Sequence, residues 1–365
     1  MPALDKIRIA GYKSIRDQEV ELGPLNVLIG ANGAGKSNFI GAFHLLHQIV
    51  HHNLQVSVAQ AGGADQLLHF GRKTTGELEL HLWFGANAYR CKLLPTAGDA
   101  LVFGDETAYF HGAGYERPYE QSLGSGHKET ELYGAVRGSG KQSIAEHVLH
   151  ALKSWKVYHF HDTSASAKIK QTGDLDDNTH LRPDAGNLAA FLYLLQETQA
   201  AAFQNIVDAV KMVTPFFGAF NLRPDRLNPN KIKLEWKEKG SDGYFDAHAL
   251  SDGTLRFICL ATLLLQAELP ATILLDEPEL GLHPYAINVL AELLHSAASR
   301  TQVVVSTQSV TLVNQLSYED VVVVDRVGNE SIFRRLPEEE VAAWTNEYAL
   351  GDLWEKNVFG GRPSR

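Results

Sequence analysis

Four short stretches carry side chains whose types and spacing could do chemistry. The first, Gly30-Ala31-Asn32-Gly33-Ala34-Gly35-Lys36-Ser37, fits the pattern GxxxxGK[ST]. Glycines let a backbone wrap a chain of phosphates, with its N–H groups turned inward at a helix N-terminus. Lys36 would reach the β- and γ-phosphates of ATP, and the Ser37 hydroxyl would ligate Mg2+. The set expected to hold the nucleotide is Gly30, Asn32, Gly33, Ala34, Gly35, Lys36, Ser37 and Asn38. A glycine-rich β-turn that binds nothing would be spelled similarly. A strand before the motif and a helix after it argue for phosphate.

The second stretch, residues 271–278, reads ATILLDEP. Five largely apolar residues predict a buried strand, with Asp276 and Glu277 emerging at its C-terminal end. Open α/β sheets hold their ligands at that edge. Asp276 can hold Mg2+, directly or through water, and Glu277 can act as general base on an attacking water. The same pair would also suit the acidic start of the next helix. A phosphate loop without this strand could belong to a kinase; with it, hydrolysis is favoured.

Residues 250–254 read LSDGT and open a predicted helix. Taken alone, Ser251, Asp252 and Gly253 are also what helix capping selects. Residues 303–309 read VVVSTQS, a buried strand ending in polar side chains. Gln308 can hydrogen-bond a phosphate or a water but cannot gain a proton near neutral pH. If hydrolysis proceeds, Glu277 must carry the base role alone, and the expected catalytic set is Glu277, Lys36 and Gln308.

These residues need a scaffold, and the hydrophobic pattern supplies one. Ile7 and Ile9, Val20 and Leu22, then Leu25, Val27, Leu28 and Ile29 predict two or three strands. From Lys36 the period turns helical through Phe39, Ile40, Phe43, Leu46 and Val50. Residues 78–123 are short alternating runs broken by glycine, an antiparallel β lobe. Residues 124–140 are rich in Gly and Ser and predict a mobile loop or lid. A long helix is expected from near Asn187, another through Ile206, Val210 and Val213, and a strand over 231–237. After Ala249 the order is helix 255–267, strand 271–275, helix 284–298, strand 302–306, helix 310–316 and strand 320–325. Such alternation predicts a parallel sheet covered on both faces. The fold class is therefore α/β. A nucleotide-binding core of residues 1–77 and 250–335 is expected, with an antiparallel β lobe at 78–160 and a helical lobe at 161–249.

Composition bounds the rest. The 365 residues are 44% hydrophobic and 21% charged, an ordinary globular balance. With 33 Lys and Arg against 43 Asp and Glu, the net charge of −10 excludes an overall polycation, so any nucleic-acid contact must be a local patch. The two cysteines, Cys91 and Cys259, have no metal-type spacing and fit a reducing cytoplasm. No stretch is long and apolar enough to span a bilayer, and the N-terminus lacks a signal-type run.

Other constellations carry less. His44, His47 and His51 share a helical face but lack a carboxylate or cysteine at ligand spacing, so a packed or solvated face is expected. His161 and Asp162, in the run 158–162, could sit at a strand end near the nucleotide. Lys168 and Lys170, with Arg72 and Lys73, are the candidate basic positions for DNA.

Together the four motifs resemble the ABC-type ATPase head shared by RecF, SMC and OLD (overcoming lysogenization defect) proteins. Residues 9–15, IAGYKSI, are similar to the opening of that superfamily. The chain more specifically resembles a bacterial group of stand-alone AAA family ATPases, through residues 25–37, 158–162, 176–192, 250–257, 274–284, 306–309 and the tail 350–363. The resemblance implies a P-loop NTPase head with a helical lobe carrying the signature motif. It implies that Ser251 and Gly253 touch the γ-phosphate bound to an opposite subunit, and that Gln308 stands where such heads carry a switch histidine. A homodimer closing around two ATP molecules follows. SMC-type heptads are absent between the motifs, and no Toprim domain follows Gln308, so built-in nuclease activity is not expected. DNA, in repair or phage defence, and a separately encoded effector protein are the two partners left open.

Overall fold

Six strands make the central sheet, in the order Glu330–Arg335, Val321–Val327, Leu25–Ile29, Gln302–Thr307, Thr272–Asp276 and Trp155–Tyr158. The first two pair antiparallel and every later pairing is parallel. The computed structural model describes residues 3–361 except 113, 115, 140–142, 343, 345 and 346.

The apolar strands read as continuous runs because both faces are covered. Successive side chains point to opposite faces. Val27, Ile29, Ile273, Leu275, Val303 and Val305 thus join one core with the helices Leu188–Thr198, Ala200–Val213, Asp252–Leu265 and Pro284–Ala298. Leu28, Leu274, Val304 and Val322 join the other, with the helix Lys36–Val50. Each fully buried side chain of this size stabilises the fold by roughly 1.5–3 kcal/mol. Among the described residues no helix is long and apolar enough to cross a membrane.

The second large sheet is antiparallel, in the order Ile15–Glu21, Lys6–Tyr12, Leu78–Phe84, Asn87–Pro95, Leu101–Phe110 and Tyr119–Gly124. Its first two strands lie outside the nucleotide-binding core expected for them. Ile7 and Ile9 register with Leu82 and Leu80, so their buried face belongs to this lobe. Conversely Trp155–Tyr158, expected in the β lobe, is an edge strand of the central sheet, with Val157 beside Leu274.

Residues 124–140, expected as a loop or lid, contain the helix Leu132–Ser139; Gly140 lies outside the described residues. Leu132 is fully buried and the Tyr133 hydroxyl donates to the Val50 carbonyl at 2.8 Å, contacts that override two helix-weakening glycines. The helical lobe also holds a three-stranded sheet of Phe217–Phe220, Glu235–Glu238 and Tyr244–Asp246. The strand expected over 231–237 is split, since Lys231–Ile232 pairs instead with Gly173–Asp174.

Candidate nucleotide-binding site

Parallel register sets the site. Ile29 lies beside Thr307, Ser306 beside Asp276, and Leu275 beside Tyr158, so four strands deliver their C-terminal ends to one edge. Residues 30–35 cross that edge and the helix Lys36–Val50 begins there. Gly33 at φ 77° and Gly35 at φ 119° make the turn. A Cβ on Gly35 would strike the Ser331 hydroxyl, and one on Gly30 the Val324 carbonyl. Glycine is required for close approach as well as for conformation.

A polar brace holds the loop from outside. Ser331 Oγ donates to the Ala34 carbonyl and lies 2.6 Å from Ser14 Oγ, which accepts from the Asn38 side-chain amide at 2.7 Å. Arg326 donates to the Gly33 carbonyl at 3.1 Å. Asn38, expected among the nucleotide-binding residues, is placed in this brace, and its backbone N–H donates to Gly35. Arg326 and Ser331, on distant strands, escaped the sequence reading, and Ser14, in the turn between Lys6–Tyr12 and Ile15–Glu21, lay within the 9–15 stretch without a role assigned to it.

Lys36 is only 4% exposed, and its Nζ donates to the carbonyls of Gly30 at 2.6 Å and Ala31 at 3.2 Å. Burial lowers its pKa, while Glu277, Asp276 and Glu279 pull the other way. Ser37 and Asp276 line one cavity of ≈ 250 Å³, together with Tyr12, Lys13, His44 and His159. Asp276 Oδ1 accepts from the Ser306 hydroxyl, which orients the carboxylate. One carboxylate and one hydroxyl on a common cavity fit Mg2+, a hard cation that takes oxygen ligands and leaves positions for water and phosphate. Among the described residues no cluster of three or more His, Cys, Asp or Glu could hold a metal unaided.

Glu277 follows with φ 44°, a left-handed conformation that costs about 1–3 kcal/mol for a non-glycine residue. Its backbone N–H donates to the Ser306 carbonyl at 2.9 Å, which holds the turn. The Gln308 side-chain amide donates to Glu277 Oε1, so the two residues meet directly. Glu279 completes the cluster, accepting from the Thr307 hydroxyl at 2.5 Å and the Gln308 N–H at 3.1 Å. Burial pushes its carboxyl pKa up, against those hydrogen bonds.

At the start of the helix Asp252–Leu265, Ser251 is the N-cap. Its hydroxyl accepts from the Thr254 N–H at 3.1 Å and remains exposed. A Cβ on Gly253 would strike the Gly281 carbonyl, so this glycine lets the helix pack on the turn beyond Glu277. Arg256, unremarked in the sequence, donates to Phe160 at 2.9 Å, His161 at 3.1 Å and Leu280, all through backbone carbonyls. An arginine within the largely apolar run 255–265 was the available signal, since buried charges are almost always partnered.

The weaker candidates separate. His161 Nε2 is 2.9 Å from the Asp276 carbonyl, which places it at the site edge. The His47 and His51 rings lie 4.1 Å apart, tilted by 35°, and burial lowers the His47 pKa to about 4. Three of the four basic positions are ion-paired: Lys168 with Asp184, Lys170 with Asp252 and Arg72 with Asp65.

A parallel sheet with the phosphate-loop strand and the Asp-Glu strand separated by one further strand, flanked by an antiparallel lobe and a helical lobe, is the fold of an ABC-type P-loop ATPase head. Residues 25–314 match the family described as "AAA domain, putative AbiEii toxin, Type IV TA system", and the chain belongs to that family of nucleotide-binding ATPases. No curated protein matches the chain. Among solved structures it is similar to an SMC head bound to the C-terminal winged-helix domain of ScpA, at TM-score 0.58 and 15% identity, covering 94% of this chain and 100% of that one. It is also similar to the Pyrococcus furiosus SMC head with an extended coiled coil bound to the C-terminal domain of ScpA, at TM-score 0.56 and 15% identity over 95% and 99% of the chains. The Pyrococcus yayanosii SMC head with coiled coil and joint gives TM-score 0.51 and 13% identity over 95% and 99%. At these identities the likeness concerns the fold.

Proposed function

We propose that this protein is a Mg2+-dependent ATPase whose two heads close around ATP and reopen on hydrolysis. The observation that carries the reading is the convergence of Lys36, Ser37, Asp276, Glu277 and Gln308 on one sheet edge. The buried Lys36 ammonium exchanges its loop carbonyls for phosphate oxygens. Ser37 and Asp276 would hold Mg2+, which neutralises phosphate charge when bound. Glu277 takes the proton of the attacking water, and Gln308 fixes the carboxylate that does so. Ser251 and Gly253, exposed or half-exposed at a helix start, supply the γ-phosphate contact to the partner subunit. ATP then binds only the closed pair and shifts its population.

The cycle would act on DNA, in repair or phage defence, through local patches. A second reading, an ATP-gated module for a separately encoded effector protein, is favoured by the ion pairs that already engage Lys168, Lys170 and Arg72. The family description and the ScpA-bound SMC heads support a protein partner in the same way. The test is steady-state ATP hydrolysis with and without linear duplex DNA, with Lys36→Ala as background. Stimulation by DNA that falls with salt supports the first reading. A rate indifferent to DNA, with a stable complex with a neighbouring gene product, supports the second. A wild-type rate equal to that of Lys36→Ala contradicts hydrolysis at this site.

A further inference from the structure

We propose that Glu279, acting with Thr307, is a positioning residue that sets Gln308 against Glu277. The proposal rests on the hydrolytic reading above and adds a residue to it.

The geometry is a staple across two strand ends. Thr307 closes the strand Gln302–Thr307 and is fully buried; its hydroxyl donates to Glu279 Oε1 at 2.5 Å. The next backbone N–H, that of Gln308, donates to the same oxygen at 3.1 Å. Two successive residues are thereby pinned to one carboxylate atom. From that pinned backbone the Gln308 side chain reaches Glu277 Oε1. Glu277 and Glu279 are joined only by Pro278, whose ring fixes φ and removes one soft dihedral from the link. One carboxylate grips the backbone of Gln308 while the other is gripped by its side chain.

The far side of Glu279 is held as well. The carbonyl of the next residue, Leu280, accepts from Arg256, and the carbonyl of Gly281 packs against Gly253. Glu279 is 9% exposed, and its second oxygen is buried without a hydrogen-bond partner among the described residues. An incompletely satisfied buried carboxylate is unfavourable and calls for an explanation. Packing alone would be met better by an apolar side chain. An acceptor at this point is needed by the Thr307 hydroxyl and the Gln308 N–H.

The test compares Glu279→Leu, which removes the acceptor at similar volume, with Glu279→Gln, which keeps it. Glu279→Leu should lower kcat by about 10- to 100-fold, the range for a displaced catalytic group, with ATP affinity unchanged. Glu279→Gln should rescue most of that loss. The double variant Glu279→Leu/Gln308→Ala should be no slower than Gln308→Ala, because both changes act through the same contact. Thr307→Val gives a second probe if Glu279→Leu folds poorly, and should reproduce the kcat loss. Additive losses in the double variant, or wild-type kcat in Glu279→Leu, would overturn the proposal. An independent readout is the Gln308 side-chain amide resonance in protein labelled with 15N-glutamine, assigned by its loss in Gln308→Ala. It should shift in Glu279→Leu and keep its place in Glu279→Gln; an unmoved resonance in Glu279→Leu also overturns the proposal. If wild type does not hydrolyse ATP while the resonance shifts, hydrolysis fails and the positioning stands.

Discussion

The side-chain amide of Gln308 donates to Oε1 of Glu277. A glutamine cannot exchange its amide proton for a positive charge near neutral pH, so this contact can orient the carboxylate but cannot relay its proton. Orientation matters here because Glu277 sits in a strained left-handed turn whose side chain would otherwise be free to choose among rotamers. Replacing Gln308 by Glu puts like charges where the hydrogen bond was. We expect Gln308→Glu to lower kcat by about 10- to 100-fold while ATP affinity changes little, measured by steady-state hydrolysis beside a binding isotherm.

Ser251 has two roles to separate. As N-cap its hydroxyl satisfies the Thr254 N–H, and as a signature residue it would touch a phosphate across the dimer. Aspartate caps as well as serine but brings a negative charge to that phosphate. Ser251→Asp should therefore melt with wild type yet fail to dimerise with ATP. Ser251→Ala should lose about 1 kcal/mol of stability in addition. Thermal melts and light scattering on the same samples read both effects.

Gly253 is constrained by its own chain. Because a Cβ would meet the Gly281 carbonyl, Gly253→Ala must push the signature helix away from the turn that carries Glu279. Overpacking of this kind costs about 1–3 kcal/mol. A lowered denaturant midpoint with an unchanged slope is the expected result.

Two histidines make stability depend on pH. Burial lowers the pKa of His47 and of His81 to about 4, with neighbouring His51 adding at the first and Arg90 at the second. Each starts from 6.5, so the folded state binds fewer protons than the unfolded chain between these values. Their contribution is fully present above pH 6.5 and is lost as pH falls towards 4. Denaturation midpoints measured across this window should fall on acidification, and His47→Gln should flatten the slope.

The phosphate loop and the Asp-Glu strand were legible because their signals are local: a strand, a turn and a helix within about twenty residues. Burial of Val303–Val305 and of Ile273–Leu275 was legible for a similar reason, as unbroken apolar runs. What the sequence did not disclose depends on pairing at a distance. Alternation marked Ile7 and Ile9 as strand residues, but nothing near them announces Leu80 and Leu82 as partners. Arg256 and Glu279 gain their roles from carbonyls at 160, 161 and 280 and from donors at 307 and 308. Asn38 illustrates the converse, a residue inside a nucleotide motif whose side chain is engaged by Ser14. Helix Leu132–Ser139 shows tertiary contacts overriding a composition that spells a loop.

On the proposed cycle, ATP closes a pair of heads and hydrolysis with Glu277 as base reopens them. Removing the base while keeping the shape should trap the closed form. The decisive measurement is the mass of Glu277→Gln by size-exclusion chromatography with light scattering, at saturating ATP and Mg2+ and in their absence. The prediction is twice the monomer mass with nucleotide and monomer without, with Ser251→Asp added in the same chain restoring the monomer. A mass that stays monomeric at saturating ATP would contradict the closed pair.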